Sequence, residues 1–172
     1  FSRLIPAAYR VAVLDRRPLN TPVGHPKTIG KCCGGLLSPD AQKALASQDL
    51  TLPVGVLADP QIFAVRTMDL QLPESAVRYY PRSYVNMDRE RFDRFLLAQI
   101  PAEKPVEIID EAVCCRIQRI GDFFELQYRR NGQMHLLTAR ALVGADGGGS
   151  LVRRTFFPRA HHAIPQYVAV QE

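Results

Sequence analysis

Long apolar runs are absent from this sequence: none reaches the ~18 residues that a membrane span needs. A secretory signal, with its charged start, apolar middle and small-residue cleavage site, is absent too. Together these absences point to a cytoplasmic protein. Blocks of Lys and Arg are also missing. The 22 basic and 17 acidic residues leave a net charge of +5, and the basic residues are scattered. That argues against nucleic acid as a partner, because a binder gathers its cations on one face or stripe. A mild positive charge suits an anionic ligand, and fits still better a neutral-pH enzyme with no charged partner. There is no internal repeat and no low-complexity tract.

Cysteines are few and poorly spaced for metal. They form two doublets, Cys32-Cys33 and Cys114-Cys115. Paired zinc ligands are ordinarily ~2–4 residues apart, so neither doublet is half of a zinc site, and no metal is expected. Without a secretory signal, reduced thiols are expected rather than a disulfide framework. Strand alternation would point Cys114 and Cys115 to opposite faces, with one of them buried as filler.

What is present is ordinary globular composition. The 172 residues are 47% hydrophobic and 23% charged, enough for one core and one domain. Residues 9–15, YRVAVLD, predict a short strand, apolar enough to be covered on both faces, that ends on Asp15. Residues 19–30 are rich in Pro, Gly and Thr and predict a loop. After KCCGG, Ser38 is a good N-cap, Pro39 suits the first helical position, and Asp40 suits the positive helix start. Residues 62–70 and 76–80 predict strands. Residues 88–100, DRERFDRFLLAQI, predict a helix capped by Asp88, with Phe92, Phe95, Leu96 and Ile100 on one face. Arg89 shares that face in the first turn, near the positive end and the core, so it needs an anion. Arg91 and Arg94 point away as solvent charges. A short strand at 106–109 precedes strands at 112–120, 123–130 and 133–138, with Asn131-Gly132 a hairpin signal. A last apolar strand, 141–145, runs into Asp146, three glycines and Ser150, which would cap a helix LVRR. Residues 165–171 predict a further strand.

Three stretches carry possible chemistry. Asp15 ends a strand, where an acid can accept hydrogen bonds from a ribose or merely aid solubility. In Gly144–Arg154, GADGGGSLVRR, glycines let a ligand approach the backbone and the helix start favours anions. A flexible turn would need fewer glycines. Lys31–Gly35 joins a cation, thiols and unshielded backbone, as a planar or anionic ligand would need. It also suits a plain loop before a helix.

YRVAVLDRRP, KCCGGLLSPDAQKAL, NMDRERFDRFL and LVGADGGGSLVRR occur in this order and cover much of residues 9–154. In that order they resemble the FAD-binding half of flavoproteins related to p-hydroxybenzoate hydroxylase. The K-x-C-G-G stretch resembles the geranylgeranyl reductase branch most. The resemblance implies that Asp15 holds the adenosine ribose of FAD, with Arg16 near the adenine side. Arg89 would lie near the ribose and pyrophosphate, the anion its position calls for. Asp146 and Gly147 would lie near the pyrophosphate. Lys31, Gly34 and Gly35 would lie against the isoalloxazine, and Cys33 beside flavin and substrate.

That family opens with strand, GxGxxG and helix, and the pyrophosphate sits on that helix start. No GxGxxG occurs here, and residues 1–8, FSRLIPAA, resemble the tail of that first helix. The family's second flavin signature, Gly-Asp followed by small residues, does not follow Asp146. The expectation is an α/β, FAD/NAD(P)-binding (Rossmann-like) domain with an antiparallel β meander, truncated at both ends. Residues 62–87 would be an excursion into the substrate-domain sheet and 160–172 the start of another strand of it. An internal fragment or truncated gene product of this kind would bind FAD weakly or not at all. The intact protein would be an FAD-dependent oxidoreductase, reductase-like, acting on an organic substrate, with isoprenoid or other hydrophobic molecules as candidates. The alternatives are a flavin aromatic hydroxylase with NAD(P)H as donor and a degenerate, non-catalytic scaffold. No general acid or base is assigned, and His161 and His162 are expected solvated in a loop. Tyr79, Tyr80 and Tyr84 are candidates to line a substrate pocket. An exposed sheet edge would allow a dimer.

Overall fold

β1, Val11–Leu14, pairs in parallel with β6, Val106–Ile109, in the register Val11↔Val106 to Leu14↔Ile109. The computed structural model describes residues 6, 8–19, 21–22, 33–68, 71, 75–163 and 165. Within it the chain divides into two compact units, Phe1–Thr28 with Glu103–Glu172, and Ile29–Ala102. No helix among the described residues is long and apolar enough to cross a membrane.

In the first unit, β1 is half-buried with Ala12 exposed, not covered on both faces as its apolar run predicts. β6 occupies one edge, and among the described residues no strand ladders along the other. Beyond β6 lies the meander: β7, Val113–Ile120, β8, Phe123–Arg130, and β9, Gln133–Ala139, antiparallel in that order. Asn131 (φ 50°) and Gly132 (φ 77°) take the two left-handed positions of a tight hairpin turn, as the Asn-Gly pair predicts. Ile109, Ala112 and Tyr128 form the core here, with Leu14 and Leu137 against them. The strand predicted at 141–145 does not form, since among the described residues no ladder partner runs beside it. α3, Leu151–Phe156, follows, and Phe156 meets Phe124 of β8 edge-on with ring centroids 5.5 Å apart. α4, Pro158–Ala163, replaces the predicted loop around His161 and His162.

In the second unit, Ser38 and Asp88 cap their helices as predicted. Ser38 accepts from the Ala41 amide at the start of α1, Pro39–Ala46. Asp88 accepts from the Arg91 amide at the start of α2, Arg89–Ala98. Phe92 of α2 is buried with Leu37, Val56 and Met87, and Phe95 packs against that core. Burial of such a ring stabilises by about 2–3 kcal/mol. Leu96, assigned by periodicity to the same face, is 36% exposed and lies at its edge. Two elements are too short for any periodicity to announce: β2, Leu36–Leu37, and β5, Val85–Asn86, which pair antiparallel. A single 3-10 turn, Val54–Val56, brings Val56 into the core. β3, Ala64–Met68, and β4, Ser75–Tyr79, form an antiparallel ribbon whose side chains are almost all exposed.

Candidate functional site

Asp15 leaves the end of β1 and is gripped by Arg17. Arg17 donates its backbone amide (2.9 Å) and Nε (3.1 Å) to Oδ1, and Nη2 to Oδ2 at 2.8 Å. Arg16, expected near the adenine side of FAD, is exposed, and it is Arg17 that turns back onto the carboxylate. The turn is fixed by β6: Asp15 donates to the Ile109 carbonyl at 3.0 Å, and Ala112 donates to that of Asp15 at 2.9 Å. Asp110, which no sequence pattern singles out, is the buried acid of this region. It accepts from the Leu19 amide at 3.1 Å and from Arg130 at 2.8 Å. The only sequence signal for it was its place after a short apolar strand, the same signal that Asp15 carries.

Asp146 points inward along its own loop. It accepts from Ser150 Oγ at 2.5 Å, the Leu151 amide at 2.6 Å and the Val152 amide at 3.2 Å. Ser150 in turn caps Arg153 at 2.9 Å. The amides at the start of α3, read from sequence as anion donors, are thus already taken by a carboxylate and a hydroxyl. Burial pushes the Asp146 pKa up. The hydrogen bonds from Ser150 and from backbone amides, those of Val152 and Leu151 among them, outweigh it and hold the carboxyl below the usual range. Gly147 takes φ 80°, which lets the loop turn back on itself, and Arg153 closes it by donating to the Gly148 carbonyl. A shallow cavity of about 360 Å³ opens here, lined by Leu142, Gly144, Asp146, Gly147, Arg153 and Phe157 among others.

In the second unit, the predicted residues Cys33, Gly34, Gly35 and Arg89 do come together. Gly35 at φ 70° receives a hydrogen bond from the Met87 amide on its carbonyl at 2.8 Å. A Cβ there would stand 2.3 Å from the Met87 carbonyl oxygen, so this glycine serves the β2–β5 junction rather than open space. Gly34 is the reverse: a Cβ would meet nothing within 4 Å. Met87 leads directly into α2, which sets Arg89 beside the same loop, Nη1 4.0 Å from Cys33 Sγ. The anion that Arg89 calls for is partly supplied one helical turn on, where Asp93 accepts from Nε at 2.8 Å. That hydrogen bond, against partial burial, holds the guanidinium pKa above its ordinary value. Its side chain stays 30% exposed, so the cluster can present a cation, a thiol and bare backbone to an anionic or planar ligand. Arg91 and Arg94 are not solvent charges alone. Arg91 donates to the Gly55 carbonyl at 3.1 Å, and Arg94 bonds Glu90 at 2.8 Å. Lys31 lies outside the described residues.

Two further expectations are corrected. Neither cysteine of the second doublet is buried filler: Cys114 is half-buried and Cys115 exposed. A register shift between Cys114 and Arg116 breaks the alternation on which that expectation rested. His161 is not a solvated loop residue but lies on α4, its Nδ1 accepting from Arg153 Nε at 3.3 Å, while His162 is exposed.

No protein-family model matches the chain. It is 41% identical over 171 residues to the Protein CbrA of Shigella sonnei, a match that takes 99% of this chain and 46% of that protein. It is 45% identical over 144 residues to the Protein CbrA of Escherichia coli K12, 84% of this chain and 39% of that protein. The chain spans less than half the length of these curated relatives. Among solved structures it is similar to a geranylgeranyl bacteriochlorophyll reductase-like protein from Thermoplasma acidophilum, with TM-score 0.59 and 16% identity over 83% of this chain and 34% of the other. It is similar to aklavinone-11 hydroxylase, solved with FAD and aklavinone, with TM-score 0.60 and 17% identity over 90% and 31%. It is also similar to PqsL of Pseudomonas aeruginosa, described as a probable FAD-dependent monooxygenase, with TM-score 0.58 and 22% identity over 88% and 39%. The fold is similar to that of these solved structures. The mixed α/β arrangement with its antiparallel meander, expected from sequence, is borne out at this level.

Proposed function

We propose that the chain is part of an FAD-dependent oxidoreductase, reductase-like, acting on a hydrophobic organic small molecule. The observation that carries this is the likeness to a geranylgeranyl bacteriochlorophyll reductase-like protein over 83% of the chain and to FAD-bound aklavinone-11 hydroxylase over 90%, on a chain whose four motifs fall in flavoprotein order. The residues fit the cofactor unevenly. Gly34 and the part-exposed Arg89 fit a planar, anionic group: the backbone is open where a Cβ would meet nothing. Asp15 stands at the end of β1, held there by Arg17 through both oxygens. Asp146 fits less directly, since its oxygens cap α3; its role would be to hold Gly147 and its neighbours in shape near the pyrophosphate.

In this proposal Asp15, with Arg16 beside it, serves the adenosine end. Arg89 neutralises the pyrophosphate, and Lys31 and Gly34 face the isoalloxazine, with the buried Gly35 fixing the turn behind them. Cys33, beside Arg89, would stand at the substrate side. Bound flavin supplies the hydride chemistry, and the chain supplies orientation and charge. Residues 1–172 would be a partial FAD-binding domain, with 62–87 its excursion into the substrate-domain sheet, where Tyr79 is 75% exposed. Unpaired strand edges would allow a dimer.

A second reading is supported by the hydroxylase and monooxygenase neighbours: an aromatic hydroxylase using NAD(P)H as donor. Product formation separates the two. A reductase forms product under strict anaerobiosis with a chemical reductant; dependence on oxygen favours the hydroxylase; no turnover by a protein that binds FAD favours the non-catalytic scaffold.

A further inference from the structure

The cysteines at the start of β7 form a site that the flavin proposal leaves unused. Cys114 pairs with Tyr128, and Arg116, not Cys115, takes the next position opposite Gln127. Cys115 is the extra residue of a β-bulge. Neighbouring side chains of a regular strand point to opposite faces, half a turn apart. Tyr128 and Gln127 face opposite sides of β8, so Cys114 and Arg116 do as well. On β7 that single reversal is spread over two steps, and Cys115 projects between the faces. The two thiols are therefore separated by less than half a turn. Along the strand, Cys114 Sγ reaches forward to the Arg116 carbonyl at 3.8 Å, and Cys115 Sγ reaches back to that of Val113 at 3.2 Å. Thiol hydrogen bonds are weak and easily given up.

Both thiols are free. A disulfide between them would be strained, since adjacent Cα atoms stand ~3.8 Å apart and disulfides ordinarily span ~4.4–6.8 Å. A bridging atom held by two sulfurs closes a larger ring and relieves that strain. We propose that Cys114 and Cys115 are a vicinal dithiol that chelates a soft, thiophilic centre, with trivalent organoarsenicals as the ligand class. Soft thiolates prefer soft centres. With an arsine oxide, each sulfur forms an As–S bond, the As=O bond breaks, and the two thiol protons leave with the oxygen as water. Arsenic stays trivalent and no oxidant is needed. Burial, then neighbouring Cys115 and Asp146, hold the Cys114 thiol above its ordinary pKa. The exposed Cys115 therefore attacks first and Cys114 closes the ring.

The test is phenylarsine oxide added to the full chain, followed by peptide mapping by mass spectrometry. The expected product is one adduct on the peptide that holds Cys114 and Cys115, resistant to excess monothiol and removed by a dithiol. Cys114→Ser and Cys115→Ser each lower that retention about 100-fold, the loss expected when two linked contacts become one. A Cys32→Ser/Cys33→Ser double variant retains the adduct. The inference is overturned if the wild-type adduct maps to Cys32 and Cys33, or if excess monothiol strips it. Mapping on the wild type decides this even if a serine variant folds poorly, and neither outcome depends on flavin.

Discussion

Gly34 and Gly35 are adjacent and face opposite demands. Gly35→Ala puts a Cβ into the Met87 carbonyl at positive φ, so it should cost about 3 kcal/mol, read as a fall in the urea midpoint. Gly34→Ala meets nothing within 4 Å and should leave that midpoint unchanged, while lowering flavin affinity if the open backbone faces the ring. Sequence flags both glycines but cannot separate their roles, because the difference lies in Met87, which is far along the chain. Asp146 makes a second prediction at this scale. Its folded pKa is depressed, so its contribution is full above the unfolded value, about 3.9, and is lost as pH falls through the folded one. Asp146→Asn should cost about 1 kcal/mol near neutral pH, the ordinary worth of a cap, with solvent screening keeping it from being larger. The gap between the two proteins should close below about pH 4 when urea unfolding is followed against pH. A gap unchanged at low pH would contradict the capping role. The acid was legible in GADGGGS, but its direction was not: the same motif suits an outward anion site and an inward cap.

The elements that sequence made legible are those long enough to show a period. The meander and α2 each repeat their apolar positions several times, and their turn and cap residues are local. β2 and β5 hold two residues each, and only their pairing defines them. The stretch 141–145 has a strand's composition, yet a strand needs a neighbour, which composition does not supply. The bulge at Cys115 is invisible for the same reason, since register is a property of two strands. Asp110 ties such elements together. It is buried at the end of β6, bonded to Arg130 of β8 and to the Leu19 amide. Asp110→Ala should lower stability by about 2 kcal/mol, less than a fully buried pair because the Arg130 side chain is 38% exposed. Equal urea midpoints for variant and parent would show that the junction is held by the apolar core alone.

For the whole molecule, the mixed α/β fold, similar to that of solved flavoproteins, was legible because four loose motifs stand in one order over residues 9–154. Each motif singly describes a turn or a cap, and the structure indeed uses Ser38, Asp88 and Ser150 in that way. In the proposed function, what would turn such caps into a cofactor site is the cation left part-exposed beside bare backbone. Arg89 carries that weight. Its pair with Asp93 is an i,i+4 contact worth only about 0.3–0.5 kcal/mol to the helix, so Arg89→Ala should barely change stability. Lost contacts to a charged ligand cost more, about 1.5–3 kcal/mol. The most direct measurement is therefore FAD affinity of the protein in its full natural length, by equilibrium titration of flavin fluorescence, with parent and Arg89→Ala side by side. Saturable binding by the parent, weakened about 10-fold or more by the substitution at an unchanged urea midpoint, is the predicted result. No saturable binding by the parent, or equal affinities for the two proteins, would contradict the account.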